Sequence, residues 1–261
     1  MKKIIPAFIL VFLVATALGA PPVKSIIVII PGSWSSAADW GYVVPLLKTP
    51  DNEVIVVNLP GHGTDKTPIT SISLQSYVDA VKKAIGNRTN VTLVAHSFGG
   101  VVMNQVAEDI HSQIKELVYV AAYVPKNGES LLSLATADAD SHLGKMLQIK
   151  EKEGLAVVPK EGVVDACFED APKQVQDYAV AHFPVEPLAP LATPVKTTAA
   201  RYGQLKKVFI FTANDHTNSA TLQHKMVADN NIGKTYTLPS SHTPFVSMPG
   251  VLAAIINNEA R

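Results

Sequence analysis

A mostly parallel six-stranded sheet flanked by helices, with one inserted cap, is the α/β architecture that three observations predict. Short β-branched apolar runs alternate with stretches of helical periodicity from residue 25 onward. The runs are continuously apolar, the pattern of strands buried on both faces of a parallel sheet. One segment, about 125–193, breaks the alternation and is too long for an ordinary connection. The 261 residues are 47% hydrophobic and 17% charged, which supplies a sizeable core and excludes a disordered, collagenous or coiled-coil protein. A single domain over 21–261 is expected. Lys plus Arg and Asp plus Glu are both 22, so no polyanion and no nucleic-acid partner is indicated.

The chain opens with Lys2 and Lys3, then the uncharged stretch Ile4–Val14, then Ala15, Ala17, Gly19 and Ala20 before Pro21 and Pro22. This is the layout of a secretory signal peptide over residues 1–20. Cleavage is expected after Ala17, Gly19 or Ala20, with Pro21 disfavouring the last. The uncharged run Ile4–Val23 also approaches the roughly 20 residues that cross a bilayer. Pro6 and the small-residue tail favour cleavage over a retained anchor, so a periplasmic or secreted protein without a stable membrane anchor is expected. Cys167 is the sole cysteine, which rules out an internal disulfide.

Six strands follow in order: Ser25–Ile30, Glu53–Asn58, Val91–Ala95, Leu117–Ala121, Val208–Thr212 and Lys234–Leu238. Between the second and third, Leu74, Tyr77, Val78, Val81 and Ile85 recur at helical spacing and Gly86 provides a stop. After the third, Phe98, Val101, Val102, Val106 and Ile110 make another stripe, and a last helix is expected between Pro244 and Asn258. The irregular segment contains charged helical pieces, a predicted hairpin around Gly154 and the prolines 184, 187, 190 and 194. It reads as a cap over the carboxyl edge of the sheet, where α/β folds place ligands.

Chemistry concentrates in Val91-Thr-Leu-Val-Ala-His-Ser-Phe-Gly-Gly100. A serine between a buried strand and a helix, with small residues two positions to either side, is a nucleophile elbow. Its strained turn admits only small flanking residues, here Ala95 and Gly99, and aims Ser97 outward beside the free N–H groups of a helix start. An isolated serine here would more often be a helix N-cap. An acid and a histidine in the order Ser, Asp, His decide otherwise: Asp215 follows the fifth strand and His242 the sixth. The loop Pro31-Gly-Ser-Trp34 follows the first strand, and the N–H groups of Ser33 and Phe98 are the predicted oxyanion donors. His62, in Leu59-Pro-Gly-His-Gly63, reads as structural, His96 as packing around the elbow, and His216 as a loop residue beside the acid. No paired histidine spacing suggests a metal, and the chemistry calls for no cofactor.

On these motifs, with Tyr119-Val-Ala-Ala-Tyr-Val-Pro125, the chain resembles an α/β-hydrolase subgroup of bacterial esterases, plant methylesterases and plant hydroxynitrile lyases. The resemblance covers most of the mature chain and implies Ser97 as nucleophile, Asp215 as acid, His242 as base, and Ser33 and Phe98 as oxyanion amides. Pro31 stands where many relatives have histidine. The lyases look for a threonine in the oxyanion loop and a lysine after the catalytic histidine, and this chain has Gly32 and Thr243. An exported serine esterase acting on a small ester is therefore expected. The alternatives are a carbon–carbon lyase on the same triad and a non-catalytic ligand receptor. Tyr123, Phe168 and Phe183 are candidates for a pocket wall or for core.

Overall fold

The computed structural model describes residues 24–261; the expected signal peptide lies outside the described residues. Strands β1 (Ser25–Ile30), β2 (Asn52–Val56), β3 (Val91–His96) and β4 (Ile114–Val120) precede the irregular segment, within which lie β5 (Gln148–Lys150), β6 (Leu155–Val157) and β7 (Glu186–Pro187). Strands β8 (Lys206–Thr212) and β9 (Lys234–Leu238) follow it. The main sheet has the order β2-β1-β3-β4-β8-β9, and all of its pairings are parallel. The six predicted strands are these six, with ends displaced by a few residues: β4 starts earlier because the half-polar stretch Ile114–Glu116 also pairs.

Strand periodicity sorts the core into two layers. Val28, Ile30, Leu93, Leu117, Tyr119, Phe209 and Phe211 point to one face. There they meet α2 (Leu74–Ile85), α3 (Gly99–Ile110) and α8 (Ala220–Asp229). Ile27, Ile29, Val94, Val118, Val120, Val208 and Ile210 point to the other, against Trp40 and three helices: α1 (Val44–Leu47), α9 (Pro244–Ser247) and α10 (Pro249–Ala260). The expected last helix is thus two, divided at Met248 before Pro249, whose ring cannot continue a helix from upstream. Helix α2 runs as read, capped by Ser73 and ended by Gly86 at φ +58°.

Between β4 and β8 the chain leaves the sheet and forms α4 (Leu131–Thr136), α5 (His142–Met146), α6 (Lys173–His182), α7 (Leu188–Ala192) and the small antiparallel sheet β5-β6-β7. The hairpin at Gly154 is present, with that glycine at φ +68°. Chain order reverses direction across the main sheet between β1 and β3, the crevice where open α/β sheets bind ligands. Among the described residues no helix is long and apolar enough to cross a membrane.

Candidate active site

The crevice is lined by the ends of β1 and β3. Ser97 sits on the β3–α3 turn at φ +52°, a conformation costing an L-residue about 1–2 kcal/mol. The turn persists because its surroundings fix it: the Tyr123 N–H donates to the Ser97 carbonyl at 3.0 Å, and three glycines admit close backbone approach. A Cβ on Gly99 would lie 2.5 Å from the Ile30 carbonyl, one on Gly100 2.2 Å from the Tyr123 carbonyl, and one on Gly32 2.7 Å from the Ser97 Cβ. Gly32 is thus what lets the loop after β1 lie against the serine.

His242, from the loop between β9 and α9, places Nε2 2.9 Å from Ser97 Oγ and Nδ1 2.8 Å from Asp215 Oδ2. The Asp215 carboxylate also accepts from the N–H groups of Thr217 and Asn218 at 2.8 and 2.9 Å and from the Thr212 hydroxyl at 2.7 Å. The three sequence-predicted side chains are therefore brought into one buried relay in the order Ser, His, Asp. Ser33 lines the cavity above Ser97, and Phe98 begins the turn of α3. Among the described residues neither N–H is taken by a protein acceptor.

His96 does more than pack. Burial, then the adjacent His242, holds it well below the usual histidine pKa, so the ring is neutral. Its Nε2–H donates to the His242 carbonyl at 2.8 Å, which fixes the backbone that carries His242. His62 is also engaged. Its Nε2 is 3.0 Å from Glu186 Oε2, and the same oxygen accepts the Trp34 N–H at 2.8 Å, while Tyr77 donates to Oε1 at 3.4 Å. Burial alone would lower the His62 pKa; the Glu186 carboxylate overcomes it and the net direction is upward.

Glu186 is the residue of this network that the sequence motifs do not include. A signal exists: it is the sole charge in the apolar, proline-rich run Phe183–Leu191. Trp34, at φ +56°, is tied to the inserted segment twice more, by an indole N–H bond of 3.4 Å to the Ala156 carbonyl and by stacking on Phe183 at 5.9 Å.

A cavity of about 730 Å³ opens over Ser97 and His242. Trp34, Phe168, Phe183, Val175, Tyr178 and Phe245 give it an apolar wall. Phe168 and Phe183 are thus pocket residues, whereas Tyr123 belongs to the core. Cys167 also faces the cavity, and burial pushes its thiol up to about 12, leaving it uncharged. Thr243 donates to the Cys167 carbonyl at 2.7 Å, so the position after the histidine supplies no cation. Among the described residues His142, Asp165 and His216 stand together as a set that could hold a metal ion, outside the cavity wall.

A buried Ser–His–Asp relay on a strand-to-helix elbow, at the switch point of a parallel sheet, defines the serine hydrolase class of site. The chain belongs to the alpha/beta hydrolase family, whose model matches residues 27–255. It is 29% identical over 247 residues to putative methylesterase 11, chloroplastic, of Arabidopsis thaliana, covering 88% of this chain and 61% of that protein. The chain spans between half and two thirds of the length of the first such relatives. Polyneuridine aldehyde esterase shares the fold with a TM-score of 0.81 at 19% identity, covering 91% of this chain and 100% of that one. An extracellular alpha/beta-hydrolase from a Paenibacillus species superposes with a TM-score of 0.78 at 20% identity, over 91% and 98% of the two chains.

Proposed function

We propose that this chain is an exported serine esterase that cleaves a small carboxylic ester through Ser97, His242 and Asp215. The observation that carries the reading is His242 Nε2 2.9 Å from Ser97 Oγ on the floor of an apolar cavity, with Nδ1 held by a buried carboxylate. His242 takes the Ser97 proton as Oγ attacks the ester carbonyl, and the Ser33 and Phe98 N–H groups stabilise the tetrahedral oxyanion. Asp215 keeps Nδ1 protonated and supports the imidazolium. Collapse expels the alcohol, which takes its proton from His242; a water deprotonated by the same histidine then hydrolyses the acyl-enzyme. Residues about 125–193 act as the cap. The methylesterase and esterase names of the relatives support an ester substrate, and the layout of residues 1–20 supports export.

The test is hydrolysis of a p-nitrophenyl ester series, short to medium chain, by the mature protein beside Ser97→Ala. Turnover confined to the wild type is expected, and its chain-length optimum measures the cavity. Equal turnover by both proteins, or none by either, would overturn the reading; cyanohydrin cleavage would then point to the lyase.

A further inference from the structure

Four side chains converge outside the cavity, from three stretches far apart in sequence. His142 begins α5, Asp165 lies in the helical turn Val164–Phe168, Glu169 ends that turn, and His216 follows Asp215. His142 Nδ1 is 2.9 Å from Asp165 Oδ2, and His216 Nδ1 is 3.0 Å from Asp165 Oδ1 and 3.5 Å from Glu169 Oε2. The imidazole rings lie 4.1 Å apart, tilted by 34°. We propose that His142, Asp165, Glu169 and His216 form a binding site for a divalent transition-metal ion, with zinc(II) the best match.

Donor chemistry is the first argument. Two imidazole nitrogens and two carboxylates are a common set for zinc, while magnesium and calcium prefer oxygen alone. Spacing is the second. A tetrahedral ion with bonds of about 2.0–2.1 Å holds its donors roughly 3.3 Å apart; one donor atom each of His142, Asp165 and His216 already lie within 4.8 Å of one another, and Glu169 Oε2 stands 3.5 Å from His216 Nδ1. Glu169 is the donor that has to swing in to complete the set.

The third argument is the crowding of oxygens around one ring nitrogen. His216 Nδ1 carries at most one proton, yet three oxygens face it: Asp165 Oδ1, the Asp165 carbonyl at 3.2 Å and Glu169 Oε2. One proton cannot serve all three, and a cation bound to both Nδ1 lone pairs would draw on both carboxylates at once.

The scaffold is already in place. The N–H groups of His142 and Leu143 both donate to the His216 carbonyl, at 2.9 and 3.2 Å. Thr217 Oγ1 donates to the Ala166 carbonyl at 2.8 Å, and Ser141 Oγ to the Thr217 carbonyl at 2.7 Å. The side chains are partly exposed, so an aqueous ion can enter. A bound ion would pin the inserted segment to the loop that carries Asp215. Its function there is structural, and it rests on no assumption about ester chemistry.

The test uses the full chain, stripped with EDTA and titrated calorimetrically with zinc chloride, with cobalt(II) as a spectroscopic probe. One saturable equivalent, the intense visible bands of four-coordinate cobalt(II) and a zinc-dependent rise in Tm are expected. His142→Ala and Asp165→Asn should each weaken binding at least about tenfold. Glu169→Gln, on an exposed turn, should weaken binding while leaving the Tm of the metal-free protein unchanged, which keeps the test valid if the other variants fold poorly. His224→Ala should bind as the wild type does. Absence of saturable zinc binding, or affinity unaltered in both His142→Ala and Glu169→Gln, would overturn the proposal.

Discussion

The Glu186→Gln variant isolates how the inserted segment holds the oxyanion loop. Glu186 is fully buried on β7, and its Oε2 accepts both the Trp34 N–H and His62 Nε2. Trp34 follows Ser33, and its φ of +56° costs about 1–2 kcal/mol. A hydrogen bond to a carboxylate contributes roughly 1.5–3 kcal/mol and one to a neutral amide roughly 0.5–1.5. The carboxylate therefore outweighs the strain, and glutamine roughly balances it. A loss of about 1.5 kcal/mol in holding the loop translates to roughly a tenfold lower kcat, with KM less changed because Phe168, Phe183, Val175, Tyr178 and Phe245 still wall the cavity. A second readout comes from His62, whose folded pKa is raised above its unfolded value of 6.5. The stabilisation from the pair is complete below about pH 6.5 and is lost as pH rises through the folded value. Steady-state kinetics with a p-nitrophenyl ester and Tm measured from pH 6 to about 8.5 check both effects. Wild-type kcat in Glu186→Gln, together with an unchanged dependence of Tm on pH, would refute the coupling.

Three further outcomes are expected. Asp215→Asn keeps nucleophile and base but removes the acceptor that orients His242 Nδ1, so kcat should fall about 10⁴-fold while a residual rate persists; activity equal to wild type would assign the acid elsewhere. Gly32→Ala places a Cβ 2.7 Å from the Ser97 Cβ and 3.0 Å from His96 Nδ1, and the displaced loop should lose an oxyanion donor at a cost of about 10²-fold or more in kcat; retention of full activity would show that Ser33 is not a donor. Mass spectrometry of the exported protein should find Leu18, Ala20 or Pro21 at the N-terminus, and an intact Met1 on the exported form would reject signal cleavage.

The sheet was readable because its evidence is local. Each strand is a run of β-branched residues, and Ser97 carries its own signature in Ala95, Gly99 and Gly100, whose steric need the contacts at Ile30 and Tyr123 make explicit. Asp215 and His242 were readable because chain order and strand ends place them. Contacts across the inserted segment were not readable. Glu186 meets His62 across 124 positions and Trp34 across 152, and no periodicity encodes such a meeting. The same holds for His142 and His216, which show no ligand spacing in sequence and stand with rings 4.1 Å apart in the fold.

The division has a physical cause. A parallel sheet gathers residues at its strand ends, so residue type and order suffice to expect Ser97, Asp215 and His242 in one place. The oxyanion loop is different: Gly32 gives it room, but room does not choose a conformation. The choice falls to Glu186, Ala156 and Phe183, which hold Trp34 by its N–H, its indole and its ring face. A relative with the same triad but a different inserted segment would keep the nucleophile in place and set the Ser33 N–H anew. Changes in that segment are therefore expected to alter kcat through the oxyanion loop as well as substrate choice through the cavity wall.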